Sequence, residues 1–399
     1  MVPNRGGCTL EYKLVSGDSH IDLSWLPGDL FVRQGPTSLR DMLPQVVESD
    51  DGLVWTAEGK TLGRPQAAGH GFGAPVRGMR RRVDRMFESG FYDGTAHPVD
   101  PELRLKDMQM DGVDGEILYG ITGTGMRLNN HEIIASTYSI YNDWVTEFCS
   151  SNPGRWYALA CVPIHDPALA AEELTRAVKK GRIRGADLIA SEVTHPIYVR
   201  DGYWDPLWHA VQELGAPISF HVGGGRIPVP APPTTSNMNS VGLEQNQLAY
   251  SGVVQSLGQF SCVQWLIGII LSGTCEKFPG FRFVMGESGA GWIPFALSRM
   301  DHIYKDATLD SKFDPPLSLM PSEYWHRQGH TTFQEESCVG DMATLIGHDN
   351  LMWGSDYPHP DGVWPDSKLI IAETMGQLEP AVLQKITCDN AVRLYRMGD

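Results

Sequence analysis

The chain has 399 residues, 42% hydrophobic and 20% charged, the composition of a folded globular protein with a large core rather than a disordered one. Its 32 basic against 48 acidic residues give a formal charge of -16, which argues against nucleic acid or an anionic membrane and leaves a small-molecule substrate as the expected partner. Seven scattered cysteines without a Cys-x-x-Cys pair, and an N-terminus without a basic-then-apolar segment, predict reduced thiols in a cytoplasmic protein.

In chain order, residues 12–15 read as a first strand that leads into Asp18-Ser19-His20. On extended backbone, residues two apart point to the same side, so Asp18 and His20 can converge on one ligand. Residues 23–85 have mixed composition, with a turn at Asp50-Asp51-Gly52 and a Gly/Pro-rich stretch at 63–75; they are expected to form an insertion that caps a site. The basic cluster of Arg77 and Arg80 to Arg82 reads as a solvated helix face.

From residue 100 onward, short β-rich runs alternate with helical segments. Strands are expected at 116–119, 156–162, 185–189, 217–221, 281–286, 330–333 and 351–354, which with 12–15 makes eight. Helices are expected between them, among others at 167–178, 205–214, 293–303 and 340–346. Eight alternations predict one α/β domain over 1–399, a (β/α)8 TIM barrel with the 23–85 insertion. No Gly-x-Gly-x-x-Gly follows the first strand, which argues against dinucleotide binding. Gly223-Gly224-Gly225 follows a strand, but the Pro-rich stretch at 227–233 cannot open a helix, so it reads as a loop over the site. The longest apolar run, Val263–Leu271, is far shorter than a membrane span. It is expected to pack among the outer helices or at a homodimer interface.

Active sites of such barrels sit where the strands end. The first strand leads to Asp18 and His20, the fifth ends at His221, the sixth at Glu287 and the eighth leads to Asp356. Each alone has an ordinary structural reading, His221 as a hydrogen-bonded core histidine and Asp356 as a turn cap. Four strand ends that meet at one rim favour a metal site instead, one divalent ion, Zn or Mn, on oxygen and nitrogen donors.

The chain also resembles the amidohydrolase superfamily, in the branch of aminocarboxymuconate-semialdehyde decarboxylase and the resorcylate-type decarboxylases. The matching stretches include Asp18-Ser19-His20, Asp111-Gly112-Val113-Asp114, Tyr141-Asn142-Asp143-Trp144, the run from Pro217 to His221, Glu287-Ser288-Gly289-Ala290-Gly291-Trp292, Gly354-Ser355-Asp356-Tyr357-Pro358-His359 and Asp389-Asn390-Ala391. The resemblance implies a dimeric barrel enzyme with a divalent metal on Asp18, His20, His221 and Asp356. Two departures stand out. Asp18 occupies a place where many relatives have histidine, and Glu287 and Ala290 stand where the characterised decarboxylases have a histidine and, three residues later, a glutamate.

Hydrolysis by metal-activated water is therefore the first expectation for the reaction, with a small carbonyl-containing substrate. The catalytic candidates are Asp356, Glu287 and His221, and the substrate-binding candidates are Arg226 and His359. For Glu287 the structural alternatives are a helix N-cap or a partner of Arg299. Non-oxidative decarboxylation of an aromatic or unsaturated acid is the alternative reaction, and a binding protein on a degenerate barrel is the reading from another class.

Overall fold

The computed structural model describes residues 10–50, 52–67, 77–78, 81–188, 195–223, 249–250, 252–309 and 317–398. Strands β1 (Val15–His20), β5 (Gly115–Tyr119), β6 (Trp156–Cys161), β7 (Ile183–Leu188), β8 (Ile218–His221), β9 (Phe283–Gly286), β10 (Gly329–Phe333) and β11 (Leu351–Trp353) form one eight-stranded sheet in that order. Strands β2 (Gln45–Ser49), β3 (Gly52–Ala57) and β4 (Lys60–Gly63) form a separate antiparallel sheet. Every pair in the large sheet is parallel. Its strands are almost uniformly buried, as expected where helices cover the outer face.

The sheet curls until its edge strands meet. Asp356 N donates to Asp18 O at 2.9 Å and His20 N to Tyr357 O at 2.7 Å. Ser355 N donates to Ser16 Oγ at 2.9 Å, and Ser19 Oγ lies within hydrogen-bond reach of both Ser16 Oγ and Ser355 Oγ. These small residues let β1 and the chain beyond β11 approach closely: a Cβ on Gly354 would lie 2.6 Å from the Asp18 Cβ. The result is the (β/α)8 TIM barrel expected from the sequence. One end of its interior is filled by Val15, Tyr157, Leu159 and Met352 packed against Ala391 and Tyr395 of the C-terminal segment. The other end is the mouth.

The first strand begins later than the sequence suggested. Lys13 N and Leu14 N donate to the Asp114 carboxylate rather than to a ladder, and pairing with β5 starts at Val15. Between Ser16 and Ser19 the register slips by one residue against β5, a bulge that holds Asp18, while His20 pairs with Tyr119 just beyond it. Helices Pro167–Val178 and Asp205–Leu214 lie where the sequence placed them, whereas the helix expected at 293–303 continues to Leu309.

In the insertion, the mixed composition hid a β-sheet whose β3–β4 turn, Glu58-Gly59, has positive φ at both residues. The helical stretch Gly252–Leu271 is longer than the run read from the sequence, because turns ahead of Val263 extend it; its 20 residues are long and apolar enough, by length and composition only, to cross a membrane. In the fold, Trp265, Leu266, Ile269 and Ile270 of its second half belong to the core. Of the basic cluster, Arg81 and Arg82 open the helix Arg81–Glu88, where Arg82 pairs with Glu335 at 2.9 Å, and Arg80 lies outside the described residues.

Candidate metal centre

The convergence expected at the mouth is present. His20 Nε2 lies 3.2 Å from Asp18 Oδ1, 3.2 Å from Asp356 Oδ1 and 3.6 Å from Glu287 Oε2. His221 Nε2 lies 3.3 Å from Glu287 Oε2 and 3.7 Å from Asp18 Oδ1. All five residues are buried, and among the described residues these five atoms face one another, and Asp356 Oδ1 also His359, without a well-formed hydrogen bond. Buried polar atoms left bare are costly, by about 1–3 kcal/mol each and more for charged groups, so five facing one point call for a bound cation. Bonds near 2.1 Å would put neighbouring donors roughly 3.0–3.4 Å apart, close to the spacings observed. The donor set fits a divalent metal.

The surroundings aim each donor. The other oxygen of Asp18, Oδ2, accepts from Thr332 Oγ1 at 2.6 Å and from Glu287 N at 3.0 Å. The Nδ1 of His221 lies 3.0 Å from Val222 O, which as a donor leaves Nε2 for the centre. Glu287 and Asp356 both have positive φ, 49° and 56°, a conformation costly for residues with a Cβ. Backbone strain of this kind persists where contacts on all sides hold it. For Glu287 those contacts are the bonds from its amide to Asp18 and to Thr332 Oγ1. Its carboxylate faces the two imidazoles rather than capping a helix or meeting Arg299.

Electrostatics tell the same story. Three carboxylates face two imidazoles. Burial works against charge on His20 and His221, yet the neighbouring carboxylates lift them to about 9 and about 10. Asp18 is held well below the usual carboxylate range against its burial, by the two histidines that face it. Burial, and then the charge of Asp356, push Glu287 up to about 8. Without a metal the cluster gathers protons to offset its negative charge.

His359 lies beside the cluster. Its ring stacks on His20 at 4.1 Å, with Nδ1 2.8 Å from Asp356 Oδ1 and Nε2 2.9 Å from Asp22 Oδ2. A hydrophobic, largely aromatic cluster of Trp25, Met86, Phe91, Tyr357 and Trp364 packs the following loop against the insertion. Tyr357 OH donates to Asp107 Oδ2 at 2.7 Å.

Above the centre lies a cavity of about 300 Å³. His20, His221, His359 and Asp187 line it, and Trp55 and Leu62 of the small sheet form a wall, so the insertion caps the site as expected. Half-buried Arg127 also borders it. Arg226 lies outside the described residues, as do Gly224 and Gly225 of the glycine loop. The reading of the sequence missed Asp187, although a polar residue near the end of a barrel strand was its signal, and missed Asp22, two residues beyond His20.

A model of the amidohydrolase family matches residues 92–397. The chain belongs to that family. The chain is 25% identical over 310 residues to the gamma-resorcylate decarboxylase of Rhizobium sp. (strain MTP-10005), covering 74% of this chain and 87% of that one. It is 26% identical over 225 residues to the gamma-resorcylate decarboxylase of Polaromonas sp. (strain JS666 / ATCC BAA-500), a stretch that spans 54% of this chain and only 64% of that one. Its fold resembles an amidohydrolase of Mycobacterium avium subsp. paratuberculosis, with TM-score 0.71, 19% identity and coverage of 97% and 100%. It also resembles the 5-carboxyvanillate decarboxylase of Novosphingobium aromaticivorans, complexed with manganese and 4-hydroxy-3-methoxy-5-nitrobenzoic acid, with TM-score 0.66, 18% identity and coverage of 98% and 97%.

Proposed function

We propose that this amidohydrolase is a metal-dependent, non-oxidative decarboxylase of a hydroxylated aromatic acid. The observation that carries the reading is the set of bare, buried donors on Asp18, His20, His221 and Asp356, placed under a cavity whose size suits a single substituted ring. The decarboxylase activity of the relatives moves this reaction ahead of the hydrolysis first expected. The four residues hold the ion, and Glu287 Oε2 stands beside them. Three nearby carboxylates bias the choice toward manganese over zinc, and manganese is the metal in the carboxyvanillate decarboxylase complex.

Held by Asp18, His20, His221 and Asp356, a divalent ion would supply Lewis acidity that offsets the charge of the substrate carboxylate and the neighbouring ring oxygen. The chain supplies the proton. Decarboxylation needs one proton on the ring carbon that carries the carboxylate; the C–C bond then breaks, its electron pair returns to the ring, and carbon dioxide leaves. Asp356 is the donor, and His359 between Asp356 and Asp22 gives a path for its reloading from the cavity. His359 also borders the bound ring, His221 and Glu287 hold the opposite side of the centre, and Arg226 is the candidate partner of a substrate carboxylate. Trp55, Leu62, Leu23 and Ile121 keep water from the ring.

One observation favours hydrolysis: Glu287 is a buried carboxylate suited to orient a water molecule. The two reactions separate in one experiment. Protein loaded with manganese or zinc is offered a panel of hydroxybenzoates and a panel of small amides and lactones. Metal-dependent carbon dioxide release from the first panel is expected; turnover confined to the second would replace this reading with hydrolysis.

A further inference from the structure

Asp187, at the end of the fourth barrel strand, takes no part in the reaction described above. It is 2% exposed and lines the cavity together with His20 and His221. Its Oδ2 accepts from Thr122 Oγ1 at 2.6 Å. Thr122 is anchored in turn, its carbonyl accepting from Tyr138 OH at 2.7 Å and its hydroxyl lying 3.4 Å from Cys161 Sγ. The second oxygen, Oδ1, has no hydrogen-bond partner among the described residues. Among the described residues no cationic side chain pairs with Asp187, and it belongs to neither group of metal-capable donors. Burial pushes its carboxyl above the usual range. A buried acceptor that is rigidly held yet unsatisfied is what a site built for a donor on a ligand presents.

We infer that Asp187 is a specificity-determining residue that accepts a hydrogen bond from a ring hydroxyl of the substrate, other than the one beside its carboxylate. The inference rests on the decarboxylase reading for the chemistry of the ligand. It implies a substrate with at least two ring hydroxyls, or one hydroxyl and another donor. A site that bonds a hydroxyl rejects the analogue without it, because its own polar group is then left bare.

The test is binding to the manganese-loaded full chain of 2-nitrophenol and its four ring-hydroxylated derivatives, isomers of one another, which offer an adjacent oxygen pair but have no carboxylate to lose. The native protein should prefer one isomer over 2-nitrophenol by about 10-fold or more, the factor for one hydrogen bond of about 1.4 kcal/mol. Asp187→Leu should abolish the preference with metal content unchanged, while Asp187→Asn, which keeps an acceptor oxygen, should retain part of it. Should Asp187→Leu fail to fold, Thr122→Val releases Oδ2 and is expected to shrink the preference several-fold. An unchanged preference in the folded variants, or no preference in the native protein, overturns this inference alone. Failure of the native protein to bind any of the five compounds overturns the decarboxylase reading with it.

Discussion

At the scale of single residues, Glu287 is the side chain that most sharply defines the chemistry. Its Oε2 reaches both imidazoles, 3.6 Å from His20 and 3.3 Å from His221, within a ring of donors that otherwise matches the resemblance seen in the sequence. Glu287→Gln preserves shape but removes the charge and the exchangeable carboxyl proton. Turnover is expected to fall by about 100-fold or more if Glu287 handles protons, with metal content by elemental analysis near that of the native protein. Near-normal turnover would leave Glu287 a structural group. The metal-capable residues were legible in the sequence because each sits at or just beyond a strand end. Asp187 sits near a strand end too but was passed over, because a single carboxylate there carries no motif, and nothing local ties Asp22 to the site. Only the fold shows that Asp187 Oδ1 is left bare and that Asp22 meets His359.

At the scale of elements, the seam between β1 and β11 aims the donors. A methyl group on Gly354 would sit 2.6 Å from the Asp18 Cβ and 3.1 Å from its backbone nitrogen. Gly354→Ala should therefore destabilise the fold by about 1–3 kcal/mol and weaken metal binding by displacing Asp18. Thermal melts with and without metal measure both effects, and a native melting curve with native metal affinity would contradict the account of the seam. Strand β10 carries a pH dependence. Burial, with Arg393 and Arg282 nearby, lowers His330 to about 4. Its unfolded form titrates near 6.5, so below that pH the unfolded state takes up a proton that the folded state refuses. Stability is complete above pH 6.5 and falls as the pH drops toward 4, by roughly 3 kcal/mol for this one group. Urea unfolding at pH 7 and pH 4 should show a smaller acid loss for His330→Asn; an equal loss would assign the acid sensitivity elsewhere. The late start of β1 was not legible, because Lys13 and Leu14 are tied to Asp114 by long-range bonds that local propensity does not encode.

At the scale of the molecule, a rigid barrel holds the reacting groups while the inserted sheet shapes the space above them. The alternation of strand and helix made the barrel legible from residue 100 onward. The sheet was obscured because its strands are short and largely polar on their exposed face, and its tertiary packing against Phe31 is invisible locally. Trp55→Ala removes part of the cavity wall without touching a donor atom. It should raise KM by about 10-fold with a smaller change in kcat, the mark of binding shared by ground state and transition state. It should also cost about 3–5 kcal/mol of stability, and metal content should not change. Loss of metal in this variant would mean that the insertion supports the centre itself.

The proposed reaction turns on the fate of one carbon and one proton. Hydroxybenzoates labelled with ¹³C in the carboxyl group are incubated in D2O with manganese-loaded protein and followed by NMR. The account predicts that the label appears as carbon dioxide and bicarbonate while the phenol gains one deuterium at the carbon that lost it, and that chelation of the metal stops both. Label that stays on the ring across the whole panel, with metal bound and the protein folded, would contradict it.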